Sequence, residues 1–203
     1  MKKVLVTGAT GFIGRYTLAP LLSKGYEVHA TYHSQPNHAE QHVYWHKANL
    51  LASDDVTRLM HEVRPTHLLH FAWYVEHGKF WNASENWDWL IASLNLLHRF
   101  IEKDGQRAVF AGTCAEYEWN IDSGICDEHT TPTNPNTLYG ASKLALFTAG
   151  QILARHHGLS FAHGRIFFPY GPGEPPQKLV SSVIRSLLKN EIAKTGFGNQ
   201  VRD

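Results

Sequence analysis

An excess of either charge is what this chain most conspicuously lacks: 19 lysines and arginines stand against 18 aspartates and glutamates, for a formal net charge of +1. The basic surplus that neutralises nucleic-acid phosphates is missing, so no nucleic acid is expected as a partner. Long apolar runs are missing as well. The opening Met1-Lys2-Lys3-Val4-Leu5-Val6 reaches glycine too soon for a signal peptide. No stretch approaches the ~20 apolar residues of a membrane span, so a cytoplasmic protein without membrane attachment is the expectation. Cysteine is scarce, and Cys114 and Cys126 offer neither a metal-type spacing nor a disulfide framework; they read as reduced thiols. The 14 histidines are scattered, and His42 with His46, or His156 with His157, read as surface or core residues rather than ligands. With 203 residues, 43% of them hydrophobic, the chain can bury the core of one domain or slightly more.

What is present begins at Val4-Leu5-Val6-Thr7-Gly8-Ala9-Thr10-Gly11-Phe12-Ile13-Gly14, an apolar strand that turns through glycines into a helix marked by Leu18, Leu21 and Leu22. Gly8 can make the tight turn, Gly11 lets backbone approach a pyrophosphate, and Gly14 lets helix and strand pack closely. The amides at the helix start, at Phe12 and Ile13, then face phosphates. Beyond this point short apolar runs alternate with longer helical patterns. Strands are expected at Glu27 to Thr31, Val43 to His46, Thr66 to Ala72, Arg107 to Ala111 and Leu159 to Arg165. Helices are expected at Arg15 to Lys24, Asp54 to Val63, Ala83 to Lys103, Leu138 to His156 and Gln177 to Lys189, the last with an apolar stripe that reads as core. That alternation implies an α/β fold: a doubly wound parallel sheet of the Rossmann type, with helices on both faces.

Two further positions carry chemistry. Dinucleotide folds usually place an acid at the end of the second strand to hold the ribose hydroxyls of NAD, whereas a basic or small polar group accommodates the phosphate of NADP. Counting from Gly8, that place falls on Tyr32, followed by His33 and Ser34. The missing carboxylate, with Arg15 after the third glycine, favours NADP over NAD. The fifth strand delivers Thr113 to its carboxyl end, where parallel sheets bind ligands. Tyr139 and Lys143, four apart, share one face of the following helix. A tyrosine with a pKa near 10 is a poor acid-base group at neutral pH, and an adjacent ammonium lowers that pKa. The aromatic stretch from Trp73 to Trp89 reads first as a helix-packing cluster and alternatively as a wall against a sugar or base.

The T-G-x-x-G-x-x-G pattern led by Thr7, its Gly-Phe-Ile-Gly ending and the Tyr139-x-x-x-Lys143 pair resemble the extended short-chain dehydrogenase/reductase superfamily and its nucleotide-sugar-modifying branch, the NAD-dependent epimerase/dehydratase family. The resemblance implies a catalytic set of Thr113, Tyr139 and Lys143, with the lysine also bonding the nicotinamide ribose and Thr113 the substrate oxygen. It implies that Asn49-Leu50, standing for an Asp-Leu pair, meets the adenine. The strand end at Phe71-Ala72 resembles a His-x-Ala-Ala segment that passes the cofactor, with Trp73 in place of its second small residue. Trp89 stands where the third helix often has an asparagine. Arg165 to Pro172 resembles an R-x-F-N-x-Y-G-P segment lining the substrate site, with Phe168 in place of the asparagine. Gly196 to Asp203 resembles the G-x-G-x-Q-x-R-D entry to the substrate lobe, in which Arg202 contacts a nucleotide phosphate. Residues 1–165 thus read as the cofactor domain and 166–203 as the beginning of a smaller substrate lobe in a truncated chain.

In the sugar 4,6-dehydratases of this superfamily an Asp-Glu pair follows the Ser/Thr, but here Cys114 and Ala115 follow Thr113, which disfavours dehydration. What the resemblance implies is a nucleotide-sugar 4-epimerase or a 4-keto-sugar reductase using NADP or NAD, in a family where subunits often pair as homodimers. The competing class is a non-catalytic NAD(P)-binding redox sensor, against which the Thr, Tyr and Lys set argues, because binding alone needs no acid.

Overall fold

The apolar segments form six strands: β1 (Lys3–Thr7), β2 (Glu27–Tyr32), β3 (Val43–Lys47), β4 (His67–His70), β5 (Arg107–Thr113) and β6 (Ser160–Ile166). Between and after them run α1 (Arg15–Ser23), α2 (Ser53–Val63), α3 (Glu85–Ile101), α4 (Leu138–His156) and α5 (Leu179–Leu188). The computed structural model describes residues 2–33, 40–118 and 125–196. All strands pair in parallel, in the order β3-β2-β1-β4-β5-β6. This is the expected Rossmann-type doubly wound sheet. Its strand order reverses between β1 and β4, which opens a crevice at their carboxyl ends.

Both faces of the sheet are covered, which is why Val4, Leu5 and Val6 form an unbroken apolar run. Val4, Val6, Val28 and Ala30 pack with Leu18 of α1 on one face. Leu5, Leu68 and Phe110 pack beneath Val56 and Leu59 of α2, Leu96 and Leu97 of α3 and Leu146 of α4 on the other. No helix among the described residues is long and apolar enough to cross a membrane.

The expected boundaries shift where tertiary contacts intervene. β4 ends at His70, although the Phe71 amide still donates to the Thr7 carbonyl at 3.1 Å. Phe71 and Ala72 leave the ladder where the glycine turn crosses them. β5 instead continues through Thr113, because β6 pairs with it as far as Ile166. α3 begins later than Ala83, since Phe80–Asn82 forms a separate 3-10 turn. The reading of α5 as core is corrected: none of its described residues is buried, and Leu179, Ile184, Leu187 and Leu188 are exposed. An apolar stripe marks a face suited to being covered but does not say what covers it.

Candidate active site

The crevice is shaped first by the glycine turn. Gly8 has φ +68°, a left-handed conformation natural to glycine, and a Cβ there would lie 2.6 Å from the Ala72 nitrogen. Close packing against β4 is therefore the task of Gly8, while a Cβ on Gly14 would overlap the Gly8 carbonyl within the turn itself. The Gly11 amide closes the turn on that carbonyl at 2.9 Å. Phe12 and Ile13 lead into α1, whose first amides, those of Arg15, Tyr16 and Thr17, donate to the carbonyls of Gly11, Ile13 and Gly14. This backbone cradle fits the diphosphate of a dinucleotide.

A buried hydrogen-bond chain ties the turn to the sheet. Thr7 Oγ1 meets His70 Nδ1 at 2.7 Å, His70 Nε2 meets Ser93 Oγ at 2.8 Å, and Ser93 donates to the Trp89 carbonyl at 2.6 Å. Burial, with the nearby Lys143 charge, pushes His70 down to about 3, so its ring is neutral. The polar residues on the inner side of α3 are thus Asn86 and Ser93, three before and four after Trp89. Helical periodicity around Trp89 was the signal that could have found them.

The proposed adenosine contacts separate in space. Tyr32 is half-buried at the end of β2 with its ring edge-on to Trp45, and His33 beside it is exposed. Leu50 is buried in the core, so its side chain serves packing. Asn49 is exposed; its amide donates to Asp55 Oδ2 and its side-chain oxygen accepts from the Leu51 amide, an Asx-type turn that starts α2. Arg15 donates to the carbonyls of Gly11 and Thr10, which holds its exposed guanidinium at the glycine turn. Ser34 and Arg202 lie outside the described residues.

At the end of β5 the structure brings Thr113, Tyr139 and Lys143 together. Thr137 caps α4 by accepting from the Gly140 amide, and Asn82 Oδ1 accepts from the Leu138 amide, which anchors the turn holding Tyr139. The Tyr139 phenol lies near enough to the Thr113 side chain for that group to act on its ionisation. Its ring is enclosed edge-on by Phe80, Trp81 and Trp73 at centroid distances of 4.9, 6.0 and 6.5 Å. The aromatic stretch therefore packs on the tyrosine itself. Asn86 holds that packing in place, accepting from Trp73 Nε1 at 2.8 Å and donating to the carbonyls of Phe80 and Ala83.

Burial pushes the Tyr139 phenol up to about 12, helped by Cys114 and Glu116 and opposed by the Thr113 side chain. Burial, rather than the ammonium, sets the direction here, because Lys143 is held by other partners. The Lys143 ammonium donates to the Ala111 carbonyl at 2.8 Å and lies 3.8 Å from the centroid of the Trp73 ring. Its own burial pulls it down to about 7, with Glu116 opposing. Trp73, which replaces a small residue, thus turns into the core and holds the lysine.

Glu116 is a site element that position along the chain did not reveal. It lies one residue past Ala115 and is fully buried, with Oε1 accepting from the Thr113 amide and Oε2 from Arg165 Nε. His163 Nε2 lies 2.9 Å from Oε1. Only the register of β5 against β6 brings His163 and Arg165 here. Tyr117 is buried and accepts from Arg165, a structural placement, and Ser142 is buried too. Phe168 follows β6, and residues Ile166 to Tyr170 line an open depression.

Comparison with known proteins follows this geometry. The family model for the NAD dependent epimerase/dehydratase family matches residues 4–203. A UDP-glucose 4-epimerase of Rhizobium meliloti is 29% identical over 69% of this chain and 43% of its own length. A dTDP-glucose 4,6-dehydratase of Xanthomonas campestris is 30% identical over 98% of this chain and 62% of its own. Among solved structures, the UDP-glucose 4-epimerase of Thermus thermophilus in complex with NAD superposes with a TM-score of 0.81 at 27% identity, covering 93% of this chain and 63% of that one. The UDP-glucose 4-epimerase of Thermotoga maritima with UDP-glucose shares the fold, with a TM-score of 0.86 at 22% identity over 99% of this chain and 68% of that one. The chain spans roughly half the length of the first of the relatives it matches, 43% in one case and 50% in another.

Proposed function

The chain belongs to the NAD-dependent epimerase/dehydratase family, and from that premise we propose that it carries the catalytic half of a nucleotide-sugar 4-epimerase. The observation that carries the reading is the gathering of Tyr139 and Lys143 of α4 around Trp73 at the carboxyl end of β5, where Lys143 donates to the Ala111 carbonyl and Thr113 ends the strand. In this reading Thr113 orients the sugar hydroxyl, and Tyr139 takes its proton and later returns it. The rings of Phe80, Trp81 and Trp73 keep water from the phenol. Lys143 supplies the positive charge that makes the phenolate accessible, which requires it to turn from the Ala111 carbonyl toward Tyr139. The cradle of Gly8, Gly11, Phe12, Ile13 and Gly14 holds the diphosphate of NAD. The nicotinamide, when bound, supplies the acceptor and donor of hydride at the sugar carbon.

Dehydration is the weaker chemistry for this site. Cys114 and Ala115 occupy the acid and base positions, and the adjacent Glu116 carboxylate is enclosed by His163 and Arg165. A second reading, an NADP-linked 4-keto-sugar reductase, is favoured by one observation, the end of β2 at Tyr32 and His33 without a carboxylate. Denaturing the purified protein and identifying the nucleotide released separates the two. Retained NAD supports the epimerase, which regenerates its cofactor in place. A protein that emerges empty and binds NADPH in preference to NADH supports the reductase. Unchanged turnover of nucleotide sugars in Tyr139→Phe would refute the role of Tyr139 in both, whereas a protein that binds the nucleotide but turns over no nucleotide sugar supports the redox-sensing class.

A further inference from the structure

Behind the reacting groups lies an ion cluster that the proposed chemistry does not use. Glu116 has no exposed surface, yet its carboxylate is met by the Thr113 amide and His163 Nε2, each at 2.9 Å, and by Arg165 Nε at 2.8 Å. Arg165 also donates to the Tyr117 hydroxyl at 3.3 Å, and its guanidinium lies 4.8 Å from the Tyr117 ring centroid and 5.4 Å from that of Phe147. A Cβ on Gly112 would run into both His163 and the carboxylate, so the strand itself leaves room for them. Burying a charge this completely is costly, and apolar packing of the same volume is commonly as stable. Stability alone therefore gives no reason for an ion cluster at this place.

We propose that Glu116 is a positioning residue of the site, a fixed negative charge held by His163 and Arg165 that clamps the Thr113 backbone on the same strand end where Lys143 is bonded to Ala111. The inference rests on reading Thr113, Tyr139 and Lys143 as the reacting set. The charged and titratable groups around it are His163 and Arg165 from β6, Cys114 and Tyr117 from the turn after β5, and Tyr139 and Lys143 from α4. The electrostatic sense is the same at both reacting groups: the carboxylate opposes ionisation of the Tyr139 phenol and favours the Lys143 ammonium. It thus biases the site toward its fully protonated form. That form delivers a proton to the sugar oxygen in the returning half of the reaction.

The test is to label the full chain with 13Cε-lysine and titrate the Lys143 resonance by NMR, with the signal assigned by its loss in Lys143→Met. Glu116→Gln keeps an acceptor for the Thr113 amide and removes the charge, so the Lys143 midpoint is expected to fall. Arg165→Gln leaves the carboxylate less compensated, so the midpoint is expected to rise. A purely structural role would move neither. Should Glu116→Gln fail to fold, the partly exposed Arg165→Gln decides the matter alone. Midpoints that stay together, or move the same way in both variants, overturn the proposal. Failure of the functional reading looks different: Tyr139→Phe would keep turning over substrate while the Lys143 midpoints still diverged.

Discussion

Lys143→Met removes a buried ammonium while keeping an unbranched apolar stem of similar length, and its main effect is on how stability depends on pH. In the folded protein burial holds Lys143 at about 7, against 10.5 for the free side chain. Between those values the unfolded chain binds a proton that the folded chain does not. Unfolding therefore takes up a proton, and stability rises with pH across the window. Each pH unit within it is worth about 1.4 kcal/mol, less near the folded midpoint, so the wild-type protein gains about 2 kcal/mol from this group between about pH 7 and pH 9. The Tyr139 phenol does not interfere there. Raised to about 12, it contributes stability that is fully present below about 10 and is lost only as pH rises through the folded value. The assay is urea unfolding of both proteins, freed of nucleotide, at three pH values across the window, followed by the fluorescence of the 6 tryptophans. Wild-type stability should climb relative to Lys143→Met by the stated amount. Parallel pH dependences would refute the placement of a dry lysine on the face of Trp73.

Gly8→Ala should cost more than the ~1–2 kcal/mol of a left-handed non-glycine residue, because the new Cβ meets the Ala72 nitrogen; thermal shift should show a lower Tm and no stabilisation by added NAD. Tyr139→Phe should lower turnover by about 10²–10⁴ while circular dichroism stays unchanged, since Phe80 and Trp81 still enclose a ring of nearly the same shape. Asn86→Leu strands the Trp73 indole N–H and removes the side-chain donor to the Phe80 carbonyl, and a loss of roughly 1–3 kcal/mol for each group left buried and unpaired should appear in urea unfolding. Glu116 governs acid stability. Burial raises its pKa, but His163, the Thr113 amide and Arg165 outweigh that and hold it below the ordinary carboxylate value. Its contribution is therefore present above the unfolded value and lost as pH falls through the folded one, and Glu116→Gln should flatten the acid limb of the unfolding curve.

Much of this protein is legible in the order of its residues, because the deciding interactions are local. Val4 to Gly14 must become strand, turn and helix, since the turn takes a left-handed glycine and the apolar runs on either side have strand and helix periods. The same locality places Tyr139 and Lys143 on one face of α4 and Thr113 at a strand end. Other features depend on residues far apart in the chain, and no spacing announces them. His163 and Arg165 reach Glu116 only through the pairing of β6 with β5, and the Thr7, His70 and Ser93 chain needs β1, β4 and α3 assembled. Burial is likewise a property of the assembled fold. The spacing of Tyr139 and Lys143 implied an ammonium that lowers the phenol's pKa; the packed site instead encloses the phenol in aromatic rings and turns the ammonium to the Ala111 carbonyl and Trp73. The residue types and their periodicity by themselves determined the doubly wound sheet and which side chains are the candidates for chemistry, whereas the proton affinities of those side chains were decided only by the tertiary structure, because desolvation and charge act through space rather than along the chain.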